Sequence, residues 1–380
     1  MRIAVRREPD AGERRVAATP ESVRQLIAAG LEVTVEAGAG VEAGYPDADY
    51  TAAGATVAKK LDLAKADVLA HVRPLKPEVI TGLRKGAITV GLASPASELA
   101  AVKALRDAGV TAFALELVPR ISRAQSMDAL TSQALVAGYR CVLEGAMRLP
   151  RFFPLFMTAA GTIPPAKVLV LGAGVAGLQA IATAKRLGAK VSANDVRAAS
   201  ADEVQSMGGT FIHLDLDAAD AGGGYAKELA ADRAKRQQEL LTPHVADSDV
   251  IVTTAAIPGR PAPRLITKAM LSGMRAGSVI VDLAAESGGN VEGSKPGEDV
   301  RVKVDGGEIT IVGMKDAAST MPYDASRLYA KNVSNLIALM TVDGVVTPDF
   351  EDEVVAGACL TYEGVIRHEP TATAVEGAKK

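Results

Sequence analysis

Short apolar, β-branched runs recur along the first third of the chain, at 3–5, 32–35, 67–69, 88–90 and 111–115. Between them lie stretches such as 20–29 and 97–108, where apolar residues return every three to four positions. The runs have the look of buried strands, and the stretches that of helices packed by one face. Their alternation predicts a parallel sheet covered by helices, a complete α/β domain. A helical stretch follows position 128 and runs through 147. Pro150, Pro154, Pro164 and Pro165 then punctuate a connection to a second set of strands at 167–173, 190–196, 210–214, 249–254 and 278–283. An amphipathic helix over 323–340 is expected to return to the first domain.

Composition narrows the classes. A chain of 380 residues, 48% hydrophobic, exceeds what one core comfortably holds, so two domains are expected. Its 42 basic and 45 acidic residues leave a formal net charge of -3, which excludes a global field for nucleic acid or an anionic membrane. Any membrane role is expected to come through a partner. Cys141 and Cys359 are far apart and form neither a disulfide framework nor a metal-ligand spacing, the pattern of a reducing cytoplasm. Residues 1–20 alternate charges and lack the apolar core of a secretory signal. The uncharged run 168–184 approaches the length of a membrane span, but Gly172, Gly174 and Gly177 interrupt it, and 168–171 reads as a buried strand.

That run carries the strongest chemical signal. Residues 167–177 form a strand running directly into G-x-G-x-x-G, with a helix expected over 178–187. Gly172 permits the tight turn, Gly174 lets a pyrophosphate approach the backbone, and Gly177 lets the helix pack close, with free N–H groups facing the phosphates. The next strand ends at Asp195, the offset at which an acid meets the adenosine ribose. The expected fold is therefore α/β, two Rossmann-like domains with parallel sheets and a nucleotide cleft between them. Residues 1–130 and 313–380 would form the first domain, and 131–312 the dinucleotide-binding one. Asp195 favours NAD over NADP, because a carboxylate there repels a 2′-phosphate. Arg197 complicates this, since it could pair a 2′-phosphate or stack on adenine and steady Asp195.

Two further segments are candidates. The loop 119–128 follows the last strand of the first domain and supplies Arg120, Gln125 and Asp128, a fixed cation, an amide and a carboxylate. It could grip a nicotinamide carboxamide and ribose, or be a polar loop entering a helix with Asp128 or Ser126 as cap. Residues 220–229 place Gly222, Gly223 and Gly224 before Tyr225, which reads equally as a mobile lid or a glycine-rich surface loop. His71, His213, His244 and His368 lie outside these loops. Most dehydrogenases need a positioned base, whereas hydride passed between two nicotinamides releases no proton and needs only positioning and exclusion of water.

With these residues in view, the chain resembles the NAD(H)-binding domain, or alpha subunit, of proton-translocating nicotinamide nucleotide transhydrogenase. The resemblance spans essentially the whole chain and rests on 12–17, 119–128, 158–162, 172–179, 223–228, 253–259 and 288–290. It implies that Arg120, Gln125 and Asp128 form the catalytic loop that positions the dihydronicotinamide beside NADP(H) on a partner subunit. It further implies that Ala173, Gly174 and Val175 meet the pyrophosphate and that Asp195, Val196 and Arg197 meet the adenosine end. Gly224, Gln237 and Ala256 would lie near the adenine pocket, and Tyr225 on a mobile loop. The implied assembly is a homodimer docked on NADP-binding and membrane-spanning subunits at the inner face of the cytoplasmic membrane. Some members continue into membrane helices, whereas this chain ends at Lys380 after a polar tail, so a separate soluble subunit is expected. Alanine dehydrogenase is the related alternative. It carries V-K-E-P near Val72-Arg73-Pro74, a histidine near 92–94 and D-Q-G-G near 286–289, all of which differ here. A non-catalytic NAD(H)-binding regulatory module is the alternative of another class.

Overall fold

The computed structural model describes residues 1–197, 199–215, 226–256 and 261–377, with 226–231 by backbone alone. The chain divides into two compact units, Met1–Gln133 with Ala318–Lys380, and Ala134–Ala317. One division falls inside the helix Ala129–Arg148.

The first unit is built on an eight-stranded sheet. Across it run Val365–Ile366, Cys359–Tyr362, Thr111–Ala114, Ile88–Gly91, Val68–Ala70, Arg2–Val5, Glu32–Glu36 and Thr56–Ala58. The last six are parallel, and in chain order they read 3-2-1-4-5-6 from the outer edge, the doubly wound arrangement. Successive residues point to opposite faces, and both faces are covered. Ile3 and Val5 pack with Val23, Leu26 and Leu336, while Ala4 and Leu69 pack with Ile80, Val102 and Leu105. Burial on both sides is why Val68–Ala70, Ile88–Gly91 and Thr111–Ala114 are buried at every position, whereas Glu32–Glu36, nearer the edge, alternates. The helix Pro20–Ala28 starts on a capping box between Thr19 and Ser22, with Pro20 at its first turn. The helix Pro322–Leu339 belongs to this unit.

The second unit repeats the plan. Its sheet runs Thr210–Phe211, Lys190–Asn194, Lys167–Leu171, Val250–Thr253, Val279–Asp282, Gly307–Gly313 and Asp299–Val304. The first six are again parallel in the order 3-2-1-4-5-6, and only the hairpin strand Asp299–Val304 is antiparallel. Val168 and Val170 pack against Val142 and Ile181, and Leu169 and Leu171 against Leu241 and Met270. A small separate hairpin, Phe156–Thr158 with Gly161–Ile163, is exposed along its whole length.

Four details differ from the sequence expectation, the first being that the strand expected at 190–196 ends at Asn194, so that Asp195 follows it. The helix after the glycines begins at Val175, not 178, because Gly177 sits inside the first turn where no side chain fits. The strand at 210 ends at Phe211 instead of 214. The antiparallel strand Cys359–Tyr362 extends the first sheet on an edge that the local pattern does not announce. Among the described residues, no helix is long and apolar enough to cross a membrane.

Candidate functional site

In a doubly wound sheet the ligand crevice lies beyond the carboxyl ends of the two strands where the order reverses. In the second unit these are Lys167–Leu171 and Val250–Thr253. The glycine turn is at that point. Gly172 has φ +100°, a conformation open mainly to glycine, and a Cβ there would meet Thr254 Oγ1 at 2.7 Å. At Gly177 a Cβ would lie 1.8 Å from the Gly172 carbonyl oxygen. Gly174 differs: a Cβ there would meet nothing within 4 Å. Two of the glycines are therefore required by packing, and the third faces open space in front of the helix Val175–Arg186, of which it is the N-cap. The first N–H groups of a helix have no partner within it, and its dipole favours an anion there.

Asp195 is wired into the same turn. Its Oδ2 accepts the Ala173 N–H at 2.7 Å, and its Oδ1 accepts the Arg197 N–H at 2.9 Å and Nε at 3.0 Å. The Arg197 guanidinium also donates to the Ala173 carbonyl at 3.2 Å. Burial would raise the Asp195 carboxyl, but the bonds from Arg197 and from the two backbone N–H groups outweigh it and hold it below its ordinary value. Ala173 itself is buried and its N–H is taken, whereas the N–H groups of Gly174 and Val175 at the helix start make no hydrogen bond among the described residues. Val196 is exposed beside Asp195.

The neighbouring strand end closes the turn from the other side. The Thr254 hydroxyl donates to the Gly172 carbonyl at 3.0 Å, and Ala256 is exposed just beyond it. This segment is pinned by Asn290, whose amide donates to the Ala255 and Pro263 carbonyls, each at 2.8 Å. Asn290 is in turn set by Asp282, which accepts its N–H and the Thr253 hydroxyl. Gln237 lies partly buried on the helix Ala226–Ala246. Gly224 and Tyr225 fall outside the described residues.

In the first unit, the loop 119–128 includes the short helical turn Ser122–Met127. Ala124 and Met127 plug it into the core, while Arg120 and Gln125 are exposed. Asp128 is used locally: its two oxygens accept the Thr131 N–H at 2.8 Å and hydroxyl at 2.6 Å, at the start of the helix Ala129–Arg148. The Ser126 carbonyl accepts from Asn332 and Asn335, and Arg123 pairs with Asp352. Local sequence patterns do not single out these last residues, because their partners are more than two hundred residues away.

The reversal point of the first sheet, between Arg2–Val5 and Val68–Ala70, holds a buried charged cluster. Glu13 grips Arg15 through two bonds of 2.8 and 2.7 Å, and Arg73 lies 2.7 Å from it. Burial raises the Glu13 carboxyl, but these cations outweigh it and leave it lowered. Glu8 accepts the Val72 N–H at 2.7 Å, and burial pushes its carboxyl up to about 7. His71 is buried with Nδ1 2.7 Å from the Arg73 carbonyl, and burial pushes it down to about 4. It stays neutral near pH 7 and is not accessible as an acid or base.

The model of the alanine dehydrogenase/PNT N-terminal domain matches residues 4–137, and that of the C-terminal domain matches residues 141–369. The chain belongs to the alanine dehydrogenase/PNT family. Within that family it is 48% identical over 380 residues to an NAD(P) transhydrogenase alpha-subunit chain of Rhodospirillum rubrum, covering 97% of this chain and 98% of that one. The crystal structure of transhydrogenase from Sinorhizobium meliloti superposes with a TM-score of 0.85 at 43% identity, covering 97% of this chain and 100% of the other. The alanine dehydrogenase of Halomonas elongata is a more distant relative, 33% identical over 303 residues, covering 78% of this chain and 76% of that protein. The family's two-domain Rossmann-like architecture is the one described above.

Proposed function

We propose that this chain is the NAD(H)-binding subunit of a proton-translocating transhydrogenase. The observation that carries this reading is the glycine turn of the second unit, whose one open glycine, Gly174, stands beside a carboxylate, Asp195, held ionised and fixed in place. The residues fit a dinucleotide: Gly172 and Gly177 shape the turn, while Gly174 and Val175 offer N–H groups to the pyrophosphate. Asp195 accepts from the adenosine ribose, Val196 and Arg197 line the adenosine end, and Gln237 and Ala256 lie by the adenine. NADH, when bound, supplies a hydride.

The first unit contributes positioning. Arg120 and Gln125 hold the carboxamide end of the dinucleotide, and Asp128 fixes the loop by capping the helix behind it. The acceptor is NADP bound by a partner subunit, so the loop has no proton to remove and needs no base. The buried, neutral His71 is in keeping with that. The subunit assembles as a homodimer and docks on membrane-spanning partners at the inner face of the membrane. The exposed hairpin with Phe152 and Phe156 edge to face, and with Leu155, Met157 and Ile163 exposed around it, supports an assembling surface.

The test combines the purified chain with an NADP-binding transhydrogenase partner and follows single-turnover transfer from NADH. Transfer is expected, together with no sustained NADH oxidation by pyruvate and ammonia. Steady oxidation in the second assay without transfer in the first would replace this reading with an alanine dehydrogenase activity.

A further inference from the structure

The loop 119–128 is fixed on both sides of Gln125 by groups from distant parts of the first unit. Two residues before it, Arg123 meets Asp352 through two parallel bonds, Nη1 to Oδ2 and Nη2 to Oδ1, each 2.8 Å, and its Nε lies 3.4 Å from Glu353. Asp352 is itself held, because its Oδ1 also caps the helix Glu353–Ala358 by accepting the Val354 N–H at 2.7 Å. One residue after Gln125, the Ser126 carbonyl accepts from Asn332 at 2.9 Å and Asn335 at 3.1 Å, both on the helix Pro322–Leu339. The Asn332 Oδ1 accepts the Ser132 hydroxyl at 2.7 Å, which fixes the amide's orientation.

An exposed ion pair contributes little to stability, and Arg123 is about half exposed. A two-pronged guanidinium–carboxylate pair contributes direction instead, since both planes are fixed at once. Gln125 makes no side-chain hydrogen bond among the described residues, so its amide is exposed on a backbone immobilised just before and just after it. We propose that Arg123 and Asp352 form a clasp that positions Gln125 for hydride transfer, with Asn332 and Asn335 as its second fastening. This rests on the reading of Gln125 as the residue that addresses the nicotinamide. Arg123 acts through Gln125 and is a positioning residue.

The experiment uses the full chain with an NADP-binding partner, and four variants: Arg123→Ala, Asp352→Asn, the two combined, and Gln125→Asn. Asparagine is also a good helix cap, so Asp352→Asn removes the charge pair while keeping the helix start. Amide hydrogen exchange of 123–127 and NADH affinity are measured beside single-turnover transfer. Arg123→Ala and Asp352→Asn should each speed exchange in this segment and slow transfer about tenfold or more, with NADH affinity within about twofold. The combined variant should be no worse than either alone, because both remove one interaction. If Gln125→Asn slows transfer and Arg123→Ala changes neither transfer nor exchange, the clasp is overturned and the function of the loop stands. Additive losses in the combined variant also overturn it. If Gln125→Asn transfers normally, the underlying reading fails, and the proposal with it.

Discussion

The carboxylate of Asp195 and the backbone N–H of Ala173 are 2.7 Å apart, so the acid that follows one strand also fastens the glycine turn that follows its neighbour. Asp195→Ala should therefore do more than remove a ribose partner. It removes the acceptor of the Ala173 N–H and the carboxylate partner of the Arg197 guanidinium, which keeps only the Ala173 carbonyl, and charge-assisted bonds of this kind contribute about 1.5–3 kcal/mol each. NADH affinity is expected to fall about tenfold to a hundredfold, and the preference over NADPH should shrink, because Arg197 is released to meet a 2′-phosphate. Calorimetry with both nucleotides checks this. An unmutated chain that binds the two equally would refute the assignment of Asp195. Its carboxyl is held below the ordinary range, so its stabilising contribution is present above that range and is lost only as pH falls through the lowered value. NADH binding should accordingly show no Asp195 titration between about pH 5 and 8.

Gly177 and Gly174 should separate in mutation. Gly177→Ala drives a methyl to within 1.8 Å of the Gly172 carbonyl oxygen and is expected to cost roughly 1–3 kcal/mol or more of stability. Gly174→Ala meets nothing within 4 Å, so only the poorer N-cap is felt and stability should change by no more than about 1 kcal/mol. The same methyl occupies the space in front of the helix, so NADH affinity should drop about tenfold. Denaturant unfolding and NADH titration of the two variants give the comparison. Equal destabilisation by both would show that Gly174 is a packing glycine.

What could be read from the chain alone follows the range over which its causes act. The glycine turn and the strands around it were legible because every constraint lies within a few residues: the apolar run, the φ of Gly172, the missing side chain at Gly177. Asp195 was legible by its offset. The edge strand Cys359–Tyr362 was not, since its partner Phe113 lies almost 250 residues earlier and the strand is short. The same holds for Asn332 and Asn335 on a helix and Asp352 just before one, ordinary polar residues until folding places them against the loop 119–128. For Asp128 the sequence left a ligand role and a cap open, and the structure shows both oxygens turned to Thr131.

Glu8 should make stability depend on pH. Its folded value of about 7 lies above the ordinary one of 4.5, so its contribution is full below about 4.5 and is lost as pH rises through 7. The loss is on the order of 3 kcal/mol. Glu8→Gln keeps an acceptor for the Val72 N–H and cannot ionise. The difference in unfolding free energy between the two proteins should shift in favour of the variant from pH 5 to 8. A constant difference over that window would mean that Glu8 stays ionised in the folded chain.

Gln125→Asn should uncouple transfer from binding. Shortening the side chain by one methylene moves its amide by an ångström or more, and misplacement on that scale can cost about a hundredfold in rate. The groups assigned to the phosphates and ribose, at Gly174, Val175 and Asp195, belong to the second unit and are untouched, so NADH affinity should stay within a few-fold of normal. Gln125 makes no side-chain hydrogen bond among the described residues and is exposed, so the substitution should not change the melting temperature. Arg120→Ala is expected to follow the same pattern, as its guanidinium is also exposed. Single-turnover transfer between NADH and an NADP analogue on the partner is measured beside equilibrium NADH binding. Loss of both in parallel would point to a general defect, and normal transfer would show that the amide does not address the reacting ring. Slow transfer with intact binding is the one outcome that a merely structural loop would not produce.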